Sequence, residues 1–185
     1  MYRLCLSFLI FMVSTMSAFG GKLEITIKGE GANGIVVIDL FEEIAPLHVE
    51  RMLALASNEN YDGIVFHRVI EGFMAQTGDV QFGKLGDDIE NAGRGGSAMP
   101  DLAAEFSNIP FDRGVVGMAR AQNPNSANSQ FFIMFNEGYF LNGQYTVVGK
   151  VLEGMDVVDT IKLGLGPNGA VLGAPDFMET VRPQE

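Results

Sequence analysis

Short runs of β-branched residues, separated by turn-forming residues, are the feature that most constrains the fold. KLEITIK (22–28) and GIVVIDLF (34–41) flank the glycine-rich GEGANG and predict a β-hairpin. Six further runs predict strands at 64–70, 73–77, 115–118, 130–135, 146–152 and 177–182. Because no regular alternation of strand and helix connects these runs, the pattern indicates an antiparallel barrel or sandwich and not a parallel sheet.

The segment 45–60 is the strongest helix prediction. Pro46 suits a first helical turn, and apolar side chains recur there at the helical spacing i, i+3, i+4, i+7. These are Val49, Met52, Leu53 and Ala56. GMDVVDTIKL (154–163) predicts a second, shorter helix. Two long stretches rich in Gly, Asn and Ser, 78–113 and 119–129, are predicted to be irregular, and loops of that length are commonly functional or disordered.

The charge balance excludes two classes of partner. The 185 residues carry 12 basic and 23 acidic side chains, a net charge of −11. Such a chain is repelled by polyphosphate backbones and by anionic lipid headgroups. We therefore expect neither nucleic acid nor a membrane surface as a partner. The length suits one domain whose core needs no metal or disulfide.

Residues 1–20 have the composition of a secretory signal. Arg3 precedes the apolar run LCLSFLIFMV, and small residues follow at positions suited to cleavage before Gly21. We expect a signal peptide over 1–20, a domain over 21–185 and export, most simply to a bacterial periplasm. A eukaryotic secretory route and a retained N-terminal membrane anchor stay open. The only cysteine, Cys5, lies in the signal, so the mature domain would contain no thiol.

Three patterns that could indicate other chemistry are weak. GLGPNG (164–169) has the glycine spacing of a dinucleotide-binding loop, but it follows a predicted helix instead of a strand and opens no helix. The two histidines, His48 and His67, are too few for a convincing metal site. We interpret His48 as a surface or half-buried helix residue and His67 as a structural residue facing away from Arg68. No Gly-x-Ser-x-Gly elbow supports a hydrolase.

NSQFFIMF (128–135) has two different faces when it is read as a strand. Period two places Phe131, Ile133 and Phe135 together, as a core face requires. The opposite face combines an amide with large apolar groups, namely Gln130, Phe132 and Met134.

A similar mixture occurs in FHRVIEGFMAQTGD (66–79), where Met74 and Gln76 share a face and Arg68 lies close in sequence. In YFLNGQYTVVGKV, an Asn-Gly turn presents Phe140, Leu141 and Tyr145. If the three segments converge, they form a shallow apolar pocket with an arginine and glutamines at its rim. The alternative is a half-buried surface against which the aliphatic part of the Arg68 side chain packs.

These segments closely resemble the motifs of the cyclophilin family of peptidyl-prolyl cis-trans isomerases, most closely its bacterial, exported branch. The resemblance rests on FHRVIEGFMAQTGD, GVVGMARAQNPNSANSQFFIMF and FLNGQYTVVGKVLEGMDVVD, and it extends over almost the whole chain after Gly21. It implies an all-β fold, an eight-stranded, closed antiparallel β-barrel capped by two helices. The active groove would lie on the outside of the barrel.

The resemblance also implies roles for individual residues. Arg68 would be the catalytic arginine, assisted by Gln76. The proline pocket would consist of Phe73, Met74, Phe132, Leu141 and Tyr145, with Phe140 beside it and Gln130 at its polar rim. The main chain of Ala119, Arg120 and Ala121 would pair with bound peptide. Three positions differ from residues common in the family, because Phe140 replaces a tryptophan, Tyr145 a histidine and Arg120 an asparagine.

The resemblance therefore predicts a monomeric enzyme that accelerates rotation of Xaa-Pro bonds in proline-containing polypeptides. It requires no metal, nucleotide or other cofactor. A binding module or holdase that keeps the proline groove is the main alternative, although simple binding of proline does not require a cation at the pocket. A hydrolase that uses His67 is a third, weakly supported hypothesis.

Overall fold

The computed structural model describes residues 21–87 and 89–184, so the predicted signal peptide lies outside the described residues. The strands are β1 (Lys22–Lys28), β2 (Gly34–Leu40), β3 (Ile64–Val65), β4 (Arg68–Ile70), β5 (Met74–Thr77), β6 (Val115–Met118), β7 (Phe131–Met134), β8 (Val147–Glu153) and β9 (Phe177–Gln184). The α-helices of this part are α1 (Pro46–Ser57) and α2 (Met155–Val158). Short 3-10 turns occur at Ile89–Asn91, Tyr139–Leu141 and Pro167–Gly169. Neither α-helix of the described part has the length and hydropathy that crossing a bilayer requires.

The strands form one antiparallel sheet in the order β3-β9-β1-β2-β8-β6-β7-β5-β4. The expected closed barrel of eight strands was wrong in this respect, because the sheet is a curled half-barrel of nine. The segment 64–70 was expected to be one strand, but it divides at Phe66 and His67 into β3 and β4. At this point the Phe66 N–H donates to the Asp176 carbonyl at 2.8 Å. The two halves consequently become opposite edges of the same sheet.

Loops are hydrogen-bonded to both edge strands. At β4, the Gly164 N–H donates to the Val69 carbonyl at 2.9 Å and the Val171 N–H donates to the His67 carbonyl at 3.0 Å. At β3, the Val65 N–H donates to the Gly83 carbonyl at 2.9 Å. The main-chain groups at the sheet edges are thus occupied within the chain itself.

Side-chain alternation divides the apolar residues into two clusters, as the period of NSQFFIMF predicted. Phe131, Ile133 and Phe135 lie in the main core, which also contains the buried residues of β1, β2 and α1. Phe132 and Met134 lie on the other side of β7, in a second and smaller cluster. That cluster also includes Met74, Phe111, Val115, Leu141 and Val147. The candidate site is built on this second cluster.

Helix α1 buries an apolar face, as predicted, but the backbone N–H groups of its first turn are bonded to a residue that is distant in sequence. Ala45 at the N-cap position offers no side-chain acceptor. The Glu105 carboxylate instead accepts the backbone N–H groups of Leu47 and His48 at 3.2 and 3.1 Å, which suits the positive end of the helix dipole. The same carboxylate lies 2.5 Å from His48 Nδ1. His48 is therefore completely buried, contrary to the expectation of a surface or half-buried residue.

The irregular stretch 78–113 is held in place by the buried carboxylate of Asp79. Its two oxygens accept four backbone N–H groups, from Gln81 and Phe82 at 3.0 Å each, from Gly93 at 2.7 Å and from Gly95 at 2.9 Å. One side chain thereby replaces the regular hydrogen bonding that a strand or helix would supply.

We expect Asp79→Asn to lower the free energy of unfolding by about 3 kcal/mol, because an amide NH₂ replaces one acceptor oxygen of this buried side chain and leaves two partly buried backbone donors unsatisfied. Urea unfolding followed by circular dichroism measures the change. Asp87→Asn, an exposed position in the same stretch, should alter the value by less than about 0.5 kcal/mol. Equal effects of the two substitutions would contradict the role given to Asp79.

Candidate active site

The strand register places a cation, an amide and an aromatic ring side by side. Arg68 on β4 is paired with Gln76 on β5, and Gln76 is paired with Phe132 on β7. Residues directly opposite each other in an antiparallel sheet project from the same face. The three side chains therefore form one row on the outer face, although Arg68 and Phe132 are far apart in sequence.

Arg68 is the first member of a hydrogen-bond chain that ends at a backbone carbonyl. Its Nη1 donates to Gln76 Oε1 at 3.2 Å, Gln76 Nε2 donates to Gln130 Oε1 at 2.9 Å, and Gln130 Nε2 donates to the Gly95 carbonyl at 2.8 Å. Because the carbonyl can only accept, it fixes the orientation of both amides. Gln76 is consequently a partner of Arg68. The Asp79 carboxylate in turn holds the loop that carries Gly95.

A second set of contacts holds Arg68 from a loop that sequence reasoning set aside. Arg68 Nε donates to the main-chain carbonyl of Asn168 at 2.9 Å, and Nη2 donates to Asn168 Oδ1 at 3.1 Å. Asn168 lies in GLGPNG (164–169), the segment whose glycine spacing resembles that of a dinucleotide-binding loop. In the structure, Pro167–Gly169 form a short 3-10 turn after α2. Nothing in the periodicity of the sequence could have identified this contact, since 100 residues separate the two partners.

The guanidinium group of Arg68 is partly buried. Burial lowers its pKa from the ordinary value, but an arginine starts so far above neutrality that it stays charged. The acceptors that surround it are neutral, namely a glutamine amide, an asparagine amide, a main-chain carbonyl and, at 3.8 Å, the Met74 sulfur. The positive charge is therefore held in place without being paired to a carboxylate.

A small pocket of about 100 Å³ lies beside Arg68. Its lining consists of Phe73, Gln76, Ala119, Arg120, Phe132, Leu141 and Tyr145. The Phe132 ring stacks on the buried Phe111 ring at 5.8 Å between centroids, and the Tyr145 ring meets Phe132 edge to face at 5.9 Å. The cavity favours the pocket interpretation over that of a half-buried surface.

Phe132 can occupy this position because its neighbour on β6 is Gly117. A Cβ atom at Gly117 would lie 2.6 Å from both the Phe132 and Phe111 rings. Any larger residue would displace the stacked pair, so the glycine maintains the shape of the pocket.

Two of the expected pocket residues do not line the small pocket. Met74 is only 1% exposed and packs in the second apolar cluster. Phe140 is 65% exposed, and its ring lies 5.4 Å from that of Phe73. Met74 thus supports the pocket from below, and Phe140 extends its outer edge.

A larger cavity of about 480 Å³ shares Gln76, Ala119 and Arg120 with the small pocket. Its lining also includes Gln130 and Ala121. The Arg120 guanidinium lies 4.4 Å from the centroid of the Tyr145 ring, and its Nη2 donates to the Gln144 carbonyl at 2.9 Å. The two cavities therefore adjoin at the three shared residues.

His67 lies largely buried beneath this region. A Cβ atom at Gly93 would lie 2.9 Å from its ring. Burial lowers the pKa of His67 to about 4, and the nearby Asp79 carboxylate only partly opposes this shift. His67 is therefore neutral at physiological pH. In the described part of the chain, no three His, Cys, Asp or Glu side chains are grouped as metal ligands would be.

Comparisons with known proteins show the family to which the chain belongs. The profile of the family "Cyclophilin type peptidyl-prolyl cis-trans isomerase/CLD" matches residues 22–175. The "Probable peptidyl-prolyl cis-trans isomerase" of Brucella suis biovar 1 is 57% identical over 162 residues, which cover 86% of this chain and 82% of that protein. The chain belongs to the cyclophilin family. It is an isomerase, and cyclophilins act on proline-containing polypeptides.

Solved structures confirm the cyclophilin-like fold. The crystal structure of a cyclophilin-type isomerase from Cryptosporidium parvum superimposes with a TM-score of 0.74 at 24% identity, over 89% of this chain and 97% of that one. The cyclophilin AquaCyp293 from Hirschia baltica superimposes with a TM-score of 0.69 at 26% identity, over 86% of this chain and 72% of that one.

We predict that His67 makes the stability of this cyclophilin depend on pH. Between pH 6.5 and about 4 the unfolded chain binds a proton at this position and the folded chain does not. The free energy of unfolding should therefore fall by up to about 1.4 kcal/mol per pH unit as the pH is lowered through this window.

Chemical denaturation of the wild type and of His67→Gln at pH 7, 6, 5 and 4 tests this prediction. The free energy of unfolding of the variant should depend less steeply on pH, because the variant lacks the contribution of His67. The contribution of the carboxylates is the same in both proteins. Parallel stability curves for the two proteins would show that His67 does not titrate in this way.

Proposed function

We propose that Arg68 catalyses rotation about Xaa-Pro bonds by donating a hydrogen bond to the prolyl nitrogen of the twisted amide. The observation that carries this proposal is the guanidinium group of Arg68, which is held by neutral acceptors and bonded to Gln76, a residue that lines the small pocket. Gln76 and Gln130 would keep it oriented.

The chemical difficulty of the reaction is the partial double bond of the amide. Its resonance gives a rotational barrier of roughly 18–20 kcal/mol. The cis and trans forms before proline differ by only about 0.5–1 kcal/mol, yet they exchange over tens to hundreds of seconds. A catalyst must weaken the resonance, and this requires neither a nucleophile nor a metal.

Arg68 has donor capacity suited to this task. When the amide twists, the prolyl nitrogen recovers its lone pair and can accept a hydrogen bond. A guanidinium group has five N–H donors. Arg68 uses Nε on the Asn168 carbonyl, one N–H of Nη1 on Gln76 and one N–H of Nη2 on Asn168 Oδ1. Nη1 also donates to the Met74 sulfur at 3.8 Å, so the second N–H of Nη2 is the donor left for the substrate.

The donor acts selectively on the twisted state. The planar amide lacks a free lone pair on nitrogen, so the hydrogen bond forms only as rotation proceeds, and such differential binding lowers the barrier. In a partly buried site this bond is stronger than in water. An acceleration of about 10⁵-fold requires about 7 kcal/mol.

The small pocket would hold the proline ring while the preceding carbonyl rotates. Phe132 would form its floor, with Phe73, Leu141 and Tyr145 at the sides. Within the neighbouring segment, the Ala119 N–H already donates to the Gln130 carbonyl and the Ala121 N–H to Ser126 Oγ. Pairing with a substrate main chain would therefore rely on the N–H and carbonyl of Arg120.

We predict that Arg68→Ala loses at least about 100-fold in kcat/KM, because the charged donor to the twisted nitrogen is removed. Protease-free NMR exchange measurements on an Ala-Pro peptide provide the rate. Arg182→Ala, another hydrogen-bonded arginine, located on β9, should retain wild-type activity. Wild-type activity of Arg68→Ala would contradict the role proposed for Arg68. If both the wild type and Arg68→Ala left the exchange rate unchanged while still binding peptide, the binding-module alternative would be favoured.

We further propose that the protein is exported and acts on flexible Xaa-Pro segments outside the cytoplasm. The order of Arg3, an apolar run and small residues before Gly21 supports this proposal. After expression of the full chain in a secreting bacterium, mass spectrometry should find a periplasmic protein that begins at Gly21. An uncleaved chain in the cytoplasmic fraction would contradict export.

A further inference from the structure

We propose that Asn168 is a positioning residue for the reaction, which fixes the plane of the Arg68 guanidinium group on the side away from Gln76. This inference rests on the proposed role of Arg68. Asn168 supplies two acceptors, its main-chain carbonyl at 2.9 Å from Nε and its Oδ1 at 3.1 Å from Nη2.

The three nitrogen atoms of the guanidinium group each have a defined acceptor. Gln76 accepts a hydrogen bond from Nη1, and Asn168 accepts hydrogen bonds from Nε and Nη2. Bonds to both Nε and Nη2 oppose rotation about the Nε–Cζ bond, which a single acceptor would permit. Because Nη1 also donates to the Met74 sulfur, one N–H of Nη2 remains, and it is restricted to a direction away from these acceptors. A donor to a short-lived transition state requires such preorganisation.

The backbone of Asn168 has an uncommon conformation that makes this double contact possible. Its φ is 55° and its ψ is 29°, in the left-handed region that asparagine tolerates better than most residues. Gly169 follows with φ 77°, and a Cβ there would lie 2.4 Å from Ile70 Cγ1. The loop thus turns tightly against β4, the strand that carries Arg68.

The loop is also attached to the strand that it serves. The Gly164 N–H donates to the Val69 carbonyl, and Arg68 and Ala170 form an isolated bridge. Asn168 and Arg68 are therefore held at a fixed separation by main-chain contacts on both sides. The side chain of Asn168 can be removed without removing this scaffold.

Asn168→Gly is the most discriminating substitution, because glycine adopts the left-handed conformation freely and keeps the main-chain acceptor. Only the Oδ1 contact is lost. We expect kcat to fall about tenfold, the loss typical of one hydrogen bond to a charged group. KM should change less than twofold, because the pocket residues are untouched.

NMR of protein labelled with ¹⁵N-arginine provides a second readout. In Asn168→Gly the guanidinium group of Arg68 should rotate faster about Nε–Cζ, which broadens or merges its Nη signals. Glu59→Gly is the matched control, since Glu59 is the other non-glycine residue with positive φ in the described part of the chain. That control should leave kcat, KM and the Arg68 signals unchanged.

The outcomes separate this inference from the proposed function. A loss of kcat with faster Arg68 rotation in Asn168→Gly supports the positioning role. If Arg68→Ala is inactive but Asn168→Gly matches the wild type in kcat or in the Arg68 signals, the positioning role is refuted and the function of Arg68 stands. If Arg68→Ala remains fully active, the proposed mechanism itself fails.

Discussion

The alternation of side chains along β4, β5 and β7 is the constraint on which the site depends. Each strand contributes one face to the main core and the other to an outer apolar cluster. The register then places Arg68, Gln76 and Phe132 in one row. A shift of one residue in any of these strands would reverse its faces and destroy the core and the site together. Stability and catalysis are therefore specified by the same pairings.

Arg68 differs from Arg113 and Arg182 in the groups that accept its hydrogen bonds. Hydrogen bonds to the carboxylates of Asp159 and Asp62 raise the pKa of Arg113 and Arg182 respectively. Among the described residues, the acceptors of Arg68 are neutral, in a chain that has 23 acidic and 12 basic residues. A carboxylate partner would hold the side chain more firmly, but it would also offset the charge that, in the proposed mechanism, stabilises the twisted amide. Amide acceptors give orientation without that loss.

The parts of the molecule that follow a short-range rule could be predicted from the sequence. The hairpin, helix α1 and the two faces of NSQFFIMF depend on period and composition, and the structure has them at the expected positions. The division of 64–70 was missed because it depends on the distant Asp176 carbonyl and not on local propensity.

Contacts between irregular segments were equally inaccessible from the sequence. The burial of His48 results from Glu105, which is 57 residues away. Asn168 reaches Arg68 only because of a left-handed turn in a loop whose glycines suggested a different function. The family resemblance predicted the pocket residues and the assistance of Gln76 to Arg68, but it did not predict the contacts that Asn168 makes with Arg68.

The loops bonded to β3 and β4 have a consequence for how such an enzyme meets its substrates. Polypeptides that expose proline are frequently extended, and extended chains add readily to the free edge of a β-sheet. In this molecule both edge strands are already bonded to the chain's own loops. In the proposed mechanism, substrates are engaged through a proline ring and a few main-chain groups and not as an added strand. Contact on that limited scale would favour rapid product release and would limit coaggregation with unfolded chains.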